Sequence, residues 1–164
     1  MELNLRATSD SGILNSEIRR SVVAMLENHP AKKVLILPPD YTRFHSNAGF
    51  LTNVCYHALV QHGAQVDILP ALGSHVPVTR EQAEDMFGDI PFEKFIPHDW
   101  RNDVVKIGEV PGDFIASITD GLWKDPIAVE INRRVMDESY DLIISPGQVV
   151  PHEVIGMSNH TKNL

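Results

Sequence analysis

Short apolar runs alternate with helical patterns along this chain, and that alternation restricts the folds open to it more than any other feature. Residues 33–37 (Lys-Val-Leu-Ile-Leu), 65–69 and 141–145 are apolar stretches long enough for a strand and too short for a helix. Helical spacing separates the first two. Such a pattern marks βαβ units, whose strands are covered on both faces and therefore read as continuous hydrophobic runs. The expected fold class is α/β, a Rossmann-like open, mostly parallel sheet with helices on both faces. With 164 residues, the chain is long enough for one core and short for two, so 1–164 is expected to be a single domain.

The individual elements follow from local chemistry. A first helix is predicted from Asn15 or Ser16, either of which is a cap residue, to about His29. It would turn Ile18, Val22, Val23 and Leu26 to one side. The strand at 33–37 is ended by Pro38-Pro39. A helix at 47–62 would bury Phe50, Leu51, Val54, Ala58 and Leu59 and stop at Gly63. Thr79 and Gln82 have the spacing of a capping box, opening a helix that ends near Gly88. The middle of the chain is less regular. Strands are expected at 104–108 and 126–131, and a short helix or turn at 132–138.

Composition removes several functional classes. Apolar residues make up 43% and charged residues 22% of the chain, which is normal for a globular domain. The net charge of -8 argues against a nucleic-acid binder, which needs a basic face. No apolar run approaches the roughly 18 residues of a membrane span. The N-terminus lacks the basic and apolar regions of a signal peptide. The lone Cys55 falls in an apolar helical pattern and reads as a core filler, consistent with a reducing compartment. A cytoplasmic protein is the expectation. There is no Gly-x-Gly-x-x-Gly, no Gly-Lys-Ser/Thr and no zinc spacing of Cys and His.

Three polar clusters follow three strands. They are Asp40-Tyr41-Thr42-Arg43-Phe44-His45, Gly73-Ser74-His75, and the segment from His152 to Lys162. In an open α/β sheet, loops at the carboxyl ends of strands form the ligand crevice. Asp40 reads either as an N-cap or as a carboxylate that orients donors. Arg43 reads either as a solvated cation or as a clamp for a carboxylate or phosphate. Thr42, at a helix start, can add an anion contact. His75 and His152 are each unexceptional alone, but as a pair they suit acid and base roles near neutral pH. Lys162 reads as a surface lysine or as an amine nucleophile. His29, His57 and His62 fall on helices or their ends and read as structural or solvated, whereas His45, His98 and His160 stay open. Trp100 and Trp123 read as packing residues.

Four ordered segments within 33–164 carry a family resemblance. Asp40-Tyr41-Thr42-Arg43, Ala71 to Thr79 (Ala-Leu-Gly-Ser-His-Val-Pro-Val-Thr), Lys106-Ile107-Gly108, and Ser145-Pro146-Gly147 through Lys162 together resemble the N-terminal domain of the lactate racemase family, the nickel-pincer-nucleotide enzymes. The first is similar to the family's Asp-x-Thr-Arg and the second to its Gly-x-His-Arg-Pro-x-Thr. The third resembles a strand that typically follows. The last is similar to Pro/Ser-His-x-x-x-Gly-x-Ser-x-x-x-Lys, with ten residues from His152 to Lys162.

The resemblance implies an isomerase, a racemase or epimerase acting at the alcohol carbon of a small 2-hydroxy acid. In such an enzyme a base takes the hydroxyl proton while hydride moves to the cofactor, leaving a planar 2-oxo acid. His75 and His152 match the family's two catalytic imidazoles, one for each enantiomer. Arg43, supported by Asp40, matches the group that holds the substrate carboxylate or orients the site. Lys162 matches the lysine that tethers the cofactor through a thioamide, with Thr42 and Ser158 beside it as cofactor-binding residues. Two departures, Gly156-Met157-Ser158-Asn159-His160 for the family's Gly-Phe-Ser-Gly-Gly and Val76 for an arginine, point to a substrate other than lactate. The family's protein ligand to nickel lies beyond the lysine, and a C-terminal domain closes the cleft. The chain is therefore expected to be an N-terminal part that is inactive alone, with that domain as its partner. Two other classes are weighed against this reading. One is a non-catalytic α/β module binding an anionic ligand or a partner protein. The other is a metal-dependent hydrolase using Asp40, His75 and His152.

Overall fold

The computed structural model describes residues 3–8, 10–73, 75–154 and 156–159. Its centre is a three-stranded parallel sheet in the order β2-β1-β5, made of β1 (Lys33–Ile36), β2 (Gln65–Ile68) and β5 (Leu142–Ile144). Lys33 pairs with Gln65 and Ile36 with Ile68 on one side of β1, while Val34 pairs with Leu142 on the other. Val34, Leu35, Ile36 and Leu37 are all buried, as a strand covered on both faces requires.

The two faces are filled differently. Val34, Ile36, Val66 and Ile68 join side chains of α1 (Asn15–Glu27), α2 (Ala48–Gln61) and α3 (Arg80–Phe87) in the larger cluster. Leu35, Leu37, Leu69 and Tyr140 form the smaller one, with Ile96 and with Val135 of a 3-10 helix, Arg133–Met136. Each fully buried aliphatic side chain contributes about 1.5–3 kcal/mol relative to its exposed state. The expected α/β architecture is what forms, with a parallel sheet flanked by helices.

Local signals act where the sequence placed them, with some shifts. Thr79 and Gln82 make both bonds of the capping box, at 3.2 and 3.0 Å. α2 stops at Gln61, and Gly63 follows at φ 83°, a conformation that favours glycine. α1 opens without a side-chain cap, because its N-cap position is Leu14 and both Asn15 and Ser16 lie inside the first turn. α2 begins after a separate 3-10 helix, Tyr41–Ser46, and the break between them is Asn47 at φ 63°. Cys55 is buried, and burial pushes its thiol up to about 12, which keeps it protonated as core filler.

The middle of the chain departs from a single sheet. β3 (Val104–Val110) and β4 (Ile127–Asn132) pair with each other antiparallel and do not join the parallel sheet. The connection between them contains α4 (Gly112–Ile118), and that link reverses the chain without crossing a sheet. A small antiparallel pair, β6 (Pro151–His152) and β7 (Gly156–Met157), shapes the last described segment. No helix among the described residues is long and apolar enough to cross a membrane.

Candidate functional site

Parallel pairing forces the carboxyl ends of β1, β2 and β5 to one edge. Backbone bonds continue the alignment past the strands: Leu37 N–H donates to Ile144 at 2.7 Å and Ala71 N–H donates to Pro38 at 2.8 Å. The loops that follow surround one cavity of about 500 Å³. Asp40, Thr42, Arg43, His75, His152 and Ser158 all line it. The sequence spreads these six residues over more than a hundred positions. Lys162 lies outside the described residues, as does His160.

Asp40 is buried at the base of this edge, with its side chain 8% exposed. Its Oδ1 accepts the Thr42 hydroxyl at 2.6 Å and its Oδ2 engages His75 Nδ1 at 2.5 Å. A carboxylate cannot donate, so the proton on that ring nitrogen belongs to His75. In the neutral imidazole, Nε2 then carries the lone pair. Of the two readings of Asp40, the carboxylate that orients donors is the one that forms. Asp40 makes no side-chain cap to the 3-10 helix it precedes, and no ion pair forms between it and Arg43 among the described residues. Its two oxygens are turned to Thr42 and His75 instead. Arg43 is exposed on the cavity wall, with φ -105° and ψ 28° interrupting the 3-10 helix.

His152 carries the opposite tautomer. Its Nδ1 accepts the Val154 N–H at 3.1 Å, so the proton of the neutral ring sits on Nε2. The Glu153 carboxylate lies 3.7 Å from Nδ1, an ion pair only when the ring is doubly protonated. The site therefore holds two imidazoles of unlike character, one with a basic Nε2 and one with an Nε2–H.

The last segment is tied down from both ends. The Ser158 hydroxyl donates to Gln148 at 3.0 Å and accepts the Val150 N–H at 3.1 Å. Asn159, at φ 64°, accepts the Ser145 hydroxyl at 2.9 Å. A Cβ added at Gly147 would lie 2.9 Å from the Asn159 amide nitrogen, so a larger residue there would have to displace the Asn159 side chain.

The other histidines separate cleanly. His29 and His62 donate Nδ1–H to carbonyls four residues back, at 2.9 and 2.7 Å, and His57 bonds Asp89 at 2.8 Å. These are the structural roles expected of helix residues. His98 accepts from Asn132 at 2.8 Å, and burial lowers its pKa. His45 is exposed, edge-on to Phe44. Sequence reasoning missed the Asp40–His75 bond, Glu153, and the Ser145–Asn159 contact. Ser145-Pro146-Gly147, directly after a strand, was the available signal for the last of these.

A family model for the lactate racemase N-terminal domain matches residues 13–164. The chain belongs to that family. A solved structure of a protein from Thermotoga maritima is similar to this lactate racemase N-terminal domain, with TM-score 0.79 and 25% identity, covering 92% of this chain and 36% of that one. The chain thus spans about a third of the length of that protein. Comparison with curated proteins returns no significant match.

The donor set of the lactate racemase N-terminal domain bears on how nickel could be held. Among the described residues, no group of three or more His, Cys, Asp or Glu is gathered as metal ligands. A side-chain-bound, water-activating metal of the hydrolase type therefore finds no ligand cluster among the described residues. A cofactor that brings its metal in its own organic frame is compatible with the polar cavity.

Proposed function

We propose that this domain supplies the acid–base and cofactor-holding part of a 2-hydroxy-acid racemase or epimerase, within the isomerase reading its family gives. One observation carries the reading: His75 and His152 line one cavity with Arg43, His75 bonded to the Asp40 carboxylate and His152 beside that of Glu153. A substrate hydroxyl needs a base on whichever face its hydrogen departs, and a matched acid when the proton returns. His75, with Nδ1–H held by Asp40, is ready to accept a hydroxyl proton at Nε2. His152, when doubly protonated beside the Glu153 carboxylate, would give one and return to the neutral ring. The ring that accepts a proton becomes the acid and the ring that gives one becomes the neutral base, so turnover in one direction would prepare the site for the other enantiomer.

Arg43 supplies the planar fork that pairs with a carboxylate through two parallel N–H bonds, which fixes the substrate's α-carbon relative to the imidazoles. Asp40 acts through His75, holding its tautomer. Thr42 acts through Asp40, to which its hydroxyl donates. Ser158 holds the loop that bears His152 and leads toward Lys162. When bound, the nickel-pincer nucleotide would supply a hydride acceptor for the alcohol carbon, whose C–H is too weakly acidic for an ordinary base. Lys162 is the residue that would tether it, and Thr42 and Ser158 line the cavity. Val76 and Asn159, where the family pattern differs, favour a substrate other than lactate. The further domain of a longer parent would complete the site.

Intact-mass and nickel analysis of the parent protein, produced with its cofactor-forming enzymes, tests this reading. A nucleotide-sized adduct mapped to Lys162, with equimolar nickel, is the expected result. An active protein with unmodified Lys162 would refute it. Binding of 2-hydroxy acids without any interconversion, in a cofactor-loaded parent, would favour an anion-binding module instead.

A further inference from the structure

Residues 104–132 form an arm on which several large apolar side chains are exposed. In the β3–β4 register, Val105 faces Ile131, Gly108 faces Val129 and Val110 faces Ile127, so these residues share one side of the ribbon. Lys106, Glu109 and Glu130 share the other, with Lys106 and Glu109 paired at 2.6 Å. Such alternation belongs to a ribbon with one side on a core and the other in water. Yet Ile127 and Val129 are 50% and 37% exposed. The helix between the strands repeats the pattern. Ile115 is buried, while Phe114 and Ile118, one turn apart, are exposed, and Leu122 just beyond is 89% exposed.

A two-stranded ribbon alone is marginal in water, and large uncovered apolar surfaces mark places of association. We infer that this arm is the docking surface for the part of a longer parent chain that lies outside these 164 residues. The similar protein from Thermotoga maritima is matched over 36% of its chain, so a member of that length carries ample polypeptide to cover the arm. Charge disfavours a second copy as the occupant. The arm holds Glu109, Asp113, Asp120, Asp125 and Glu130 against Lys106 and Lys124, and two such acidic rims would repel. The covering surface should be apolar at its centre and neutral or basic at its edge. The inference rests on family membership and on the length of the similar protein, not on the reaction proposed above.

Hydroxyl-radical footprinting of the parent protein tests it with an internal reference. Trp123, on the arm, and Trp100, outside it, are 55% and 42% exposed in the domain. In the parent, Trp123 should lose most of its reactivity relative to Trp100, and Phe114 and Leu122 should be protected with it. Comparable oxidation of Trp123 and Trp100 in the monomeric parent overturns the inference. Protection that appears only at concentrations where sedimentation shows a dimer assigns the arm to a second copy and also overturns it. So does a reading frame that ends at residue 164. None of these outcomes depends on cofactor or turnover.

Discussion

Replacing Asp40 by asparagine should reverse the tautomer of His75, and the size of the effect follows from the geometry. The Asp40 carboxylate is 8% exposed and accepts both the Thr42 hydroxyl and the His75 Nδ1–H. An asparagine has one acceptor oxygen and one amide group. If the oxygen stays with Thr42, the amide faces His75 Nδ1 as a donor, and the ring must move its proton to Nε2. The basic nitrogen is then lost from the cavity. A hydrogen bond to a charged group is worth about 1.5–3 kcal/mol. His75 is 56% exposed, and solvent screening places its share at the lower end. A loss near 1.5 kcal/mol corresponds to about tenfold in rate from weakened orientation alone. Tautomer reversal adds to that, since the equivalent change in a Ser-His-Asp triad costs about 10⁴-fold. The expected total for Asp40→Asn in the cofactor-loaded parent is thus on the order of 10²–10⁴-fold in kcat, with KM little changed. Long-range proton–nitrogen NMR of the imidazole reads the cause directly, with Nδ1 protonated in the native domain and Nε2 in the variant. An unchanged His75 tautomer together with kcat within about twofold would refute the reasoning.

Three further outcomes are expected. Cys55, buried with its thiol pushed up to about 12, should resist a thiol reagent at pH 8 in the folded domain and react at once in denaturant; a native-state rate near that of the unfolded chain would contradict its placement. Gly49→Ala would drive a methyl into the Met86 carbonyl where α2 meets α3, and overpacking of this kind costs about 1–3 kcal/mol, read as a lower urea midpoint with unchanged slope. Asp141 accepts the backbone N–H groups of Lys33 and Lys32, which lower its pKa in that order of effect. Its stabilisation is present above the unfolded pKa and lost as pH falls through the lower folded one, so urea titrations from about pH 6 to about pH 3 should show Asp141→Asn less acid-sensitive than the native chain.

Much of the architecture was legible because it depends on neighbours in sequence. Continuous apolar runs at β1, β2 and β5, the Thr79–Gln82 box and the Gly63 stop are each decided within a few residues, and each stands where local chemistry puts it. The clusters after the strands were legible for a similar reason, since a parallel sheet delivers its strand ends to one edge. Partner choice was not. Asp40 reads from sequence as an N-cap or a carboxylate that orients donors, and only the fold gives its second oxygen to His75, thirty-five residues away. A buried carboxylate takes the donors that the backbone brings within reach, and those are set by strand order and loop path. The same holds for β3 and β4, recognised as strands but not as a separate ribbon, because strand propensity does not specify which edge a strand joins. The sequence by itself determined the strands of the parallel sheet, the helices that cover its larger cluster, and the polar clusters that follow those strands. The tertiary structure alone decided how the protons are arranged there, because a histidine's tautomer depends on what its other nitrogen touches.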